Sequence, residues 1–208
     1  MLPQNFYLKG DVLDISRNLL GKKICSTIGD GFTSGIIVET EAYRGKDDKA
    51  CHAFGGKKTP RSLTMFMPGG FAYVYMCYGI HPLFNIVTGN KDEAEVVLIR
   101  AIQPLDGIDV MQKRRKQTKV KVLCNGPGKL TQALGISKSQ NEIPLFDKSS
   151  DLWLEDHLDV TKNDIISGPR VGLTTAEECM NWPWRFRIKD NPYPSKPNHV
   201  FYEGFPPA

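Results

Sequence analysis

The segment Ile36-Ile37-Val38-Glu39-Thr40-Glu41-Ala42-Tyr43 runs from apolar residues straight into two carboxylates. Side chains of a strand alternate between faces, so Glu39, Glu41 and Tyr43 share one side. Two acids stacked in this way repel each other unless a cation or hydrogen-bond donors relieve them. Repulsion or partial burial is expected to raise the pKa of one acid toward the range of a general base. Solvated acids at the margin of a sheet are the plainer alternative. Arg100 lies within Val97-Leu98-Ile99-Arg100-Ala101, a cation in an apolar strand. It needs a carboxylate, and Glu41 is the natural partner.

His52 follows in Cys51-His52-Ala53-Phe54-Gly55-Gly56. Glu39, Glu41 and His52 read as a metal site only weakly, because no paired-histidine spacing accompanies them. In Tyr73-Val74-Tyr75-Met76-Cys77-Tyr78-Gly79, Tyr73 and Tyr75 share a face. Tyr78 is out of phase with them and precedes Gly79, where a strand ends, so it projects from a turn. A projecting tyrosine can stack on bases or wedge between base steps. Core packing is the alternative, as for most strand aromatics. Asn85 interrupts the apolar run Leu83 to Val87 and needs partners, either a base edge or a backbone group.

These residues require a framework. Asp11 to Leu20 reads as a helix capped by Asp11, with Gly21 as its stop. Lys22 to Thr27 and Phe32 to Tyr43 read as a hairpin about Gly29-Asp30-Gly31. Lys46 to Gly70 reads as one long loop, a length often tied to function. Phe71 to Tyr78, Leu83 to Thr88 and Glu95 to Gln103 read as antiparallel strands. Asp106 to Lys116 and Gly128 to Leu134 read as helices, the latter with Pro127 at N1 and Gly135 at C′. Arg185 to Lys189 reads as a strand ahead of a Pro-rich end, Asn191 to Ala208. The expectation is α+β: one mixed domain over 1–208, a curved antiparallel sheet ringed by helices.

The 208 residues are 40% hydrophobic and 24% charged, which excludes collagenous, coiled-coil and disordered classes. The longest apolar stretch, Phe71 to Thr88, is broken by Gly79, His81, Pro82 and Asn85, so no membrane span is expected. MLPQNFYLKG lacks the pattern of a secretory signal. Five cysteines, odd in number and without C-x-x-C, fit a reducing cytoplasm, with Cys25 and Cys77 as buried thiols. The net charge is only +4, but it is segregated. Lys113, Arg114, Arg115, Lys116, Lys119 and Lys121 form one basic block, and Lys57, Lys58 and Arg61 another. Acids gather at Asp147, Asp151, Glu155, Asp156 and Asp159. Such segregation suits a face turned toward an anionic polymer, with a solvated helix end as the alternative.

Taken together, these stretches resemble the alkyladenine (3-methyladenine) DNA glycosylase family of base-excision repair. The resemblance is carried by Ile37 to Tyr43, His52 with Gly55-Gly56, Thr59-Pro60-Arg61 and Met65-Phe66-Met67. Tyr73-Val74-Tyr75 with Tyr78-Gly79, Asn85-Ile86 and Val97 to Ala101 continue it. Gly126-Pro127 with Lys129-Leu130, Gln132-Ala133-Leu134 and Arg170-Val171-Gly172 extend it along nearly the whole chain. His81-Pro82 departs from the mammalian pattern, which has an aromatic pair there. The loops over 116–122 and 141–166 also differ, and the short N-terminal lead suits a bacterial-type member.

The resemblance implies a hydrolase that removes damaged purines from duplex DNA as a monomer, with no metal, no cofactor and no lyase step. Glu41 becomes the general base for a water that Arg100 and the Val171 carbonyl help to hold. Tyr43, His52 and Tyr75 become the walls around the flipped base, and Asn85 rejects the exocyclic amino group of guanine. Tyr78 fills the space the base leaves. Thr59, Arg61, Met65, His81 and Lys129, with the basic blocks, become the DNA-contacting set. A non-catalytic binder of damaged DNA or structured RNA is the alternative from another class. Base flipping costs a few kcal/mol, least for damaged or mispaired bases. A π-rich slot favours cationic alkylpurines.

Overall fold

The computed structural model describes residues 1–173, 177–197 and 201–203. In chain order its elements are α1 (Val12–Asn18), β1 (Lys23–Ser26), β2 (Thr33–Arg44), β3 (Ala72–Cys77), β4 (His81–Thr88) and β5 (Glu95–Pro104). There follow α2 (Ile108–Arg115), α3 (Pro127–Leu134), β6 (Leu152–Glu155), β7 (Ile165–Gly168), β8 (Arg185–Ile188) and β9 (Tyr202–Glu203). The strands form one open antiparallel sheet in the order β3-β4-β5-β2-β8-β7-β9, with β1 joined to β2 and β6 to β1. This is an α+β fold.

Local chemistry sets the helix ends. The Asp11 carboxylate accepts from the Asp14 N–H at 2.8 Å, which caps α1. Pro127 opens α3, and Gly135 closes it in the left-handed region. α2 begins two residues later than the sequence suggests. Gly107 takes its N-cap at φ 67°, where a Cβ would sit 2.1 Å from the Phe32 carbonyl oxygen. Only glycine fits there.

Two features are not legible as elements in the sequence. β6 and β7 are four-residue strands inside stretches rich in acids and turn residues. The loop over 46–70 holds two 3₁₀ turns, Phe54–Gly56 and Leu63–Phe66. Its Cys51, Ala53, Met65 and Phe66 pack with Tyr73, Val87 and Val96 as a second, smaller core. The loop is therefore the cover of one sheet face, while the helices bury the other with Ile37, Ala42, Val74, Phe84 and Ile99. Of the Pro-rich end, Tyr202–Glu203 form β9, and 198–200 and 204–208 lie outside the described residues. No helix among the described residues is long and apolar enough to cross a membrane.

β2 positions the acids. Its first residues pair with β1, from Thr33 to Ile36, and its later ones with β8, from Glu39 to Glu41. On its other edge β5 runs alongside, but the register slips at Glu39, which pairs with Ala101, and returns at Thr40, opposite Ile99. Val38 and Arg100 thereby have no opposite residue in this pairing. The consequence is a change of face. Ile37 lies in the helix-side core, as does Ala42, whereas Val38 packs on the opposite side with Ala101 and Tyr193. Val38 and Glu39 thus turn to the same side, a β-bulge in effect. Without it, alternation from Ile37 would point Glu39 and Glu41 into the apolar core.

Candidate active site

Glu41 is fully buried and held by three donors. Val171 N–H donates to its Oε1 at 2.8 Å, and Tyr43 O–H donates to its Oε2 at 2.8 Å. Arg100 Nη1 reaches the same Oε2 at 3.2 Å. Burial and the neighbouring carboxylate push the Tyr43 phenol well up, so it keeps its proton and donates. Arg100 is 6% exposed, and the two glutamates outweigh its burial and hold its charge.

Arg100 also donates through Nε to Glu39 Oε1 at 3.3 Å, so one guanidinium bridges both acids. Glu39 is further bound by Arg185 Nε at 2.5 Å, by Arg187 Nη2 at 3.3 Å and by the Ser195 N–H at 2.5 Å. Burial pushes its carboxyl up, but the three guanidiniums and the Ser195 amide outweigh burial and hold it below the usual range. The raised pKa expected from repulsion is therefore not found at Glu39. Cations relieve the pair instead.

A cavity of about 450 Å³ opens beside this cluster, within the size range of ligand sites. Tyr43, His52, Met65, Tyr75, Asn85, Arg100 and Val171 all line it. The His52 ring meets Tyr75 edge-on, with centroids 4.7 Å apart. His52 Nδ1 lies 2.9 Å from the Tyr73 hydroxyl. Burial, with Arg61 nearby, pushes the imidazole below its usual range, so it is neutral at pH 7. Asn85 is 2% exposed and donates Nδ2 to the Tyr73 carbonyl at 3.1 Å. It thus satisfies backbone while standing in the cavity wall.

Three expectations need correction, and the weak metal alternative finds no support among the described residues. Met65, placed among the DNA-contacting residues, is 1% exposed and belongs to the small core and the cavity wall. Cys77 is only partly buried and also lines the cavity. Glu39, Glu41 and His52 do not converge as a metal site. Glu39 is ringed by arginines, His52 is bonded to Tyr73, and among the described residues no three His, Cys, Asp or Glu side chains converge. The basic block on α2 is partly structural. Arg114 donates to the carbonyls of Ile28 at 2.6 Å and Ala133 at 3.1 Å, and Arg115 to that of Leu123 at 3.1 Å. Lys116, Lys119 and Lys121 are exposed.

Of the remaining residues, Tyr78 also lines the cavity. Tyr78 caps the β3–β4 hairpin at φ 50° and is 92% exposed. His81 is exposed at the start of β4, beside Gly128 of α3. Lys129 reaches Asn125 Oδ1 at 2.8 Å. Arg61 is exposed, its guanidinium 5.8 Å from the Tyr75 ring centroid, and Thr59 forms a turn with Ser62.

Sequence reasoning missed Asp48 as a partner of Arg170. The two form a buried pair, Nη2 to Oδ1 at 2.8 Å, and Arg170 Nη1 also donates to the Ala42 carbonyl at 2.9 Å. This ties Val171 beside Glu41. It missed Arg185, Arg187 and Ser195 as well. The one available signal was Arg185-Phe186-Arg187, two cations on one face of a strand.

A family model for methylpurine-DNA glycosylase matches residues 5–192. A Chlamydia felis protein is 47% identical over 192 residues, covering 90% of this chain and 96% of its own length. A Clostridium botulinum protein is 43% identical, covering 94% and 99%, and a Bacillus mycoides protein 42%, covering 93% and 98%. All three are provisionally named 3-methyladenine DNA glycosylase. A buried acid with three donors beside an aromatic cavity, and a match along nearly the whole chain, agree: the chain belongs to the methylpurine-DNA glycosylase family.

Proposed function

We propose that the protein is a monofunctional purine DNA glycosylase that flips alkylated or deaminated purines from duplex DNA and hydrolyses the N-glycosidic bond. The observation that carries this reading is the hydrogen-bond state of Glu41. A carboxylate offers about four lone-pair positions. Tyr43 and Arg100 occupy two on Oε2, and Val171 N–H occupies one on Oε1. The position left on Oε1 receives the O–H of the attacking water. Glu41 takes that proton as the water oxygen bonds the sugar C1′ and the bond from C1′ to the base nitrogen breaks. The carboxylate also stabilises positive charge developing at the sugar.

Tyr43, His52 and Tyr75 form the walls of the base slot, with Met65 beneath. Stacking and cation–π attraction favour 3-methyladenine, which leaves as a neutral base. Hypoxanthine and ethenoadenine are neutral lesions of the same slot, and each leaves with the electron pair of the broken bond and takes a proton from solvent water. Asn85 excludes the amino group of guanine, and Tyr78 fills the gap in the stack. Arg61, Thr59, His81 and Lys129 contact phosphates. Water, not an enzyme amine, is the nucleophile, so no Schiff base forms and the strand is not cut.

The test is single-turnover base release, in the presence of chelator, from duplexes holding hypoxanthine, ethenoadenine or 3-methyladenine. Release by the wild type is expected, and Glu41→Gln should lose roughly 10²–10⁴-fold or more while binding lesion DNA as before. Equal rates for the two proteins would remove Glu41 from catalysis. Lesion binding with no release from any of the three would favour a non-catalytic binder.

A further inference from the structure

The buried cluster behind Glu41 is completed by a residue beyond the family-matched stretch. After β8 the chain turns back, fixed by Asn191 Nδ2 on Gln103 Oε1 at 3.2 Å and by Tyr193 against Ile36, Val38 and Ala101. Ser195, 2% exposed, then enters the cluster and touches all four charged members behind Glu41. Its hydroxyl donates to Glu39 Oε1 at 3.0 Å and accepts from Arg100 Nη2 at 3.2 Å and Nε at 3.4 Å. Its carbonyl accepts from Arg185 Nη2 at 3.1 Å and from Arg187 Nη2.

Resting on the proposed function, we infer that Ser195 is a positioning residue for base excision, holding the Arg100 guanidinium in the orientation that presents Nη1 to Glu41. The hydroxyl inventory supports this. One proton goes to Glu39, and the oxygen accepts from Arg100 at 3.2 and 3.4 Å and, at the longer distance of 3.5 Å, from Arg185 Nη2, so the group is used in full. Arg100 is gripped at Nε and Nη2 by Glu39 and Ser195, and only Nη1 reaches Glu41. A planar fork held on two sides has one orientation. Removing the Ser195 hydroxyl frees the Nη2 side and lets the fork tilt, while the backbone contacts to Glu39, Arg185 and Arg187 remain. Charge argues the same way. Three guanidiniums surround two carboxylates, and the Ser195 and Pro197 carbonyls accept from Arg185 and Arg187 as well.

A double-mutant cycle of Ser195→Ala and Arg100→Lys, read by single-turnover base release, tests this. Lysine lacks the fork that Ser195 holds, so a residue acting through that fork loses its effect in the lysine background. Ser195→Ala should slow release on the order of tenfold with Arg100 present and less than about twofold with Lys at 100. Affinity for a duplex with an uncleavable 2′-fluoro lesion nucleotide, measured for each protein, should stay within about twofold and also reports folding. An equal loss in both backgrounds, or no loss with Arg100 present, would overturn the inference and leave the proposed function standing. No release by the wild type itself would overturn both. Loss of lesion binding by Ser195→Ala would assign the residue to folding and so overturn the inference alone.

Discussion

Glu39 and Glu41 are two residues apart, equally buried and bridged by one arginine, yet their surroundings give them different work. Glu39 is ringed by three arginines and Ser195, whereas Glu41 is met by one arginine, the Tyr43 hydroxyl and the Val171 N–H. The Asp48–Arg170 pair acts at the same scale by fixing Val171. Both side chains are fully buried. Removing one partner strands a buried charge. Arg170→Met should therefore cost roughly 3–5 kcal/mol and lower the melting midpoint by about 10 °C. Calorimetry checks this, and an unchanged midpoint would refute it. The folded fraction should also release base more slowly, because Val171 N–H is no longer held against Glu41.

At the scale of elements, the β3–β4 hairpin is a projection whose tip does not support the fold. Tyr78 is 92% exposed, so Tyr78→Ser should leave the melting midpoint within about 2 °C, as surface changes do. It should nevertheless weaken release of lesions paired in duplex while sparing single-stranded substrate, because the wedge acts only on a stack. Comparable losses on both substrates would remove the wedge role. α2 and the loop after it divide their cations by task. Arg114→Ala should destabilise, since the Ile28 and Ala133 carbonyls lose this donor and Asp30 keeps only Lys113 of its two cations. The triple change of Lys116, Lys119 and Lys121 to Ala should leave stability intact and flatten the dependence of log Kd on log salt, by up to about 0.9 for each phosphate no longer neutralised. An unaltered slope would place those lysines outside the DNA footprint.

Across the whole molecule, the same sheet meets opposite demands at its two ends. At the site, cations neutralise buried acids. At the start of β5, Glu95 lies opposite Arg44 and Thr88, and burial, aided by Glu93, Asp11 and Asp47, pushes its carboxyl up to about 7 despite Arg44. The native state then binds this proton more tightly than the unfolded chain, whose ordinary value is 4.5. That contribution is present at low pH and is lost as pH rises through about 7. Relative to Glu95→Gln, the wild type should lose on the order of 1 kcal/mol after solvent screening, about 2–4 °C, between pH 5 and 8. Melting curves of both proteins across that range decide it, and parallel curves would contradict it.

The sequence alone singled out the candidate chemistry-bearing residues and most of the elements around them. Glu41, Arg100 and Asn85 stand out because polar groups in apolar runs must find partners, while the expected roles of Tyr43, His52, Tyr75 and Tyr78 came from the family resemblance. Hairpins and helix caps announce themselves because turn glycines, Pro127 and Asp11 act locally. The rest depends on residues distant along the chain. The bulge at Val38 and Arg100 shows in neither strand, since it is a property of their pairing. Arg185, Arg187 and Ser195 reach Glu39 from about 150 residues away. Met65 and two of the three α2 cations, Arg114 and Arg115, changed roles for one reason: burial and carbonyl partners are set by what folds over a residue, and its own neighbours in sequence do not encode that.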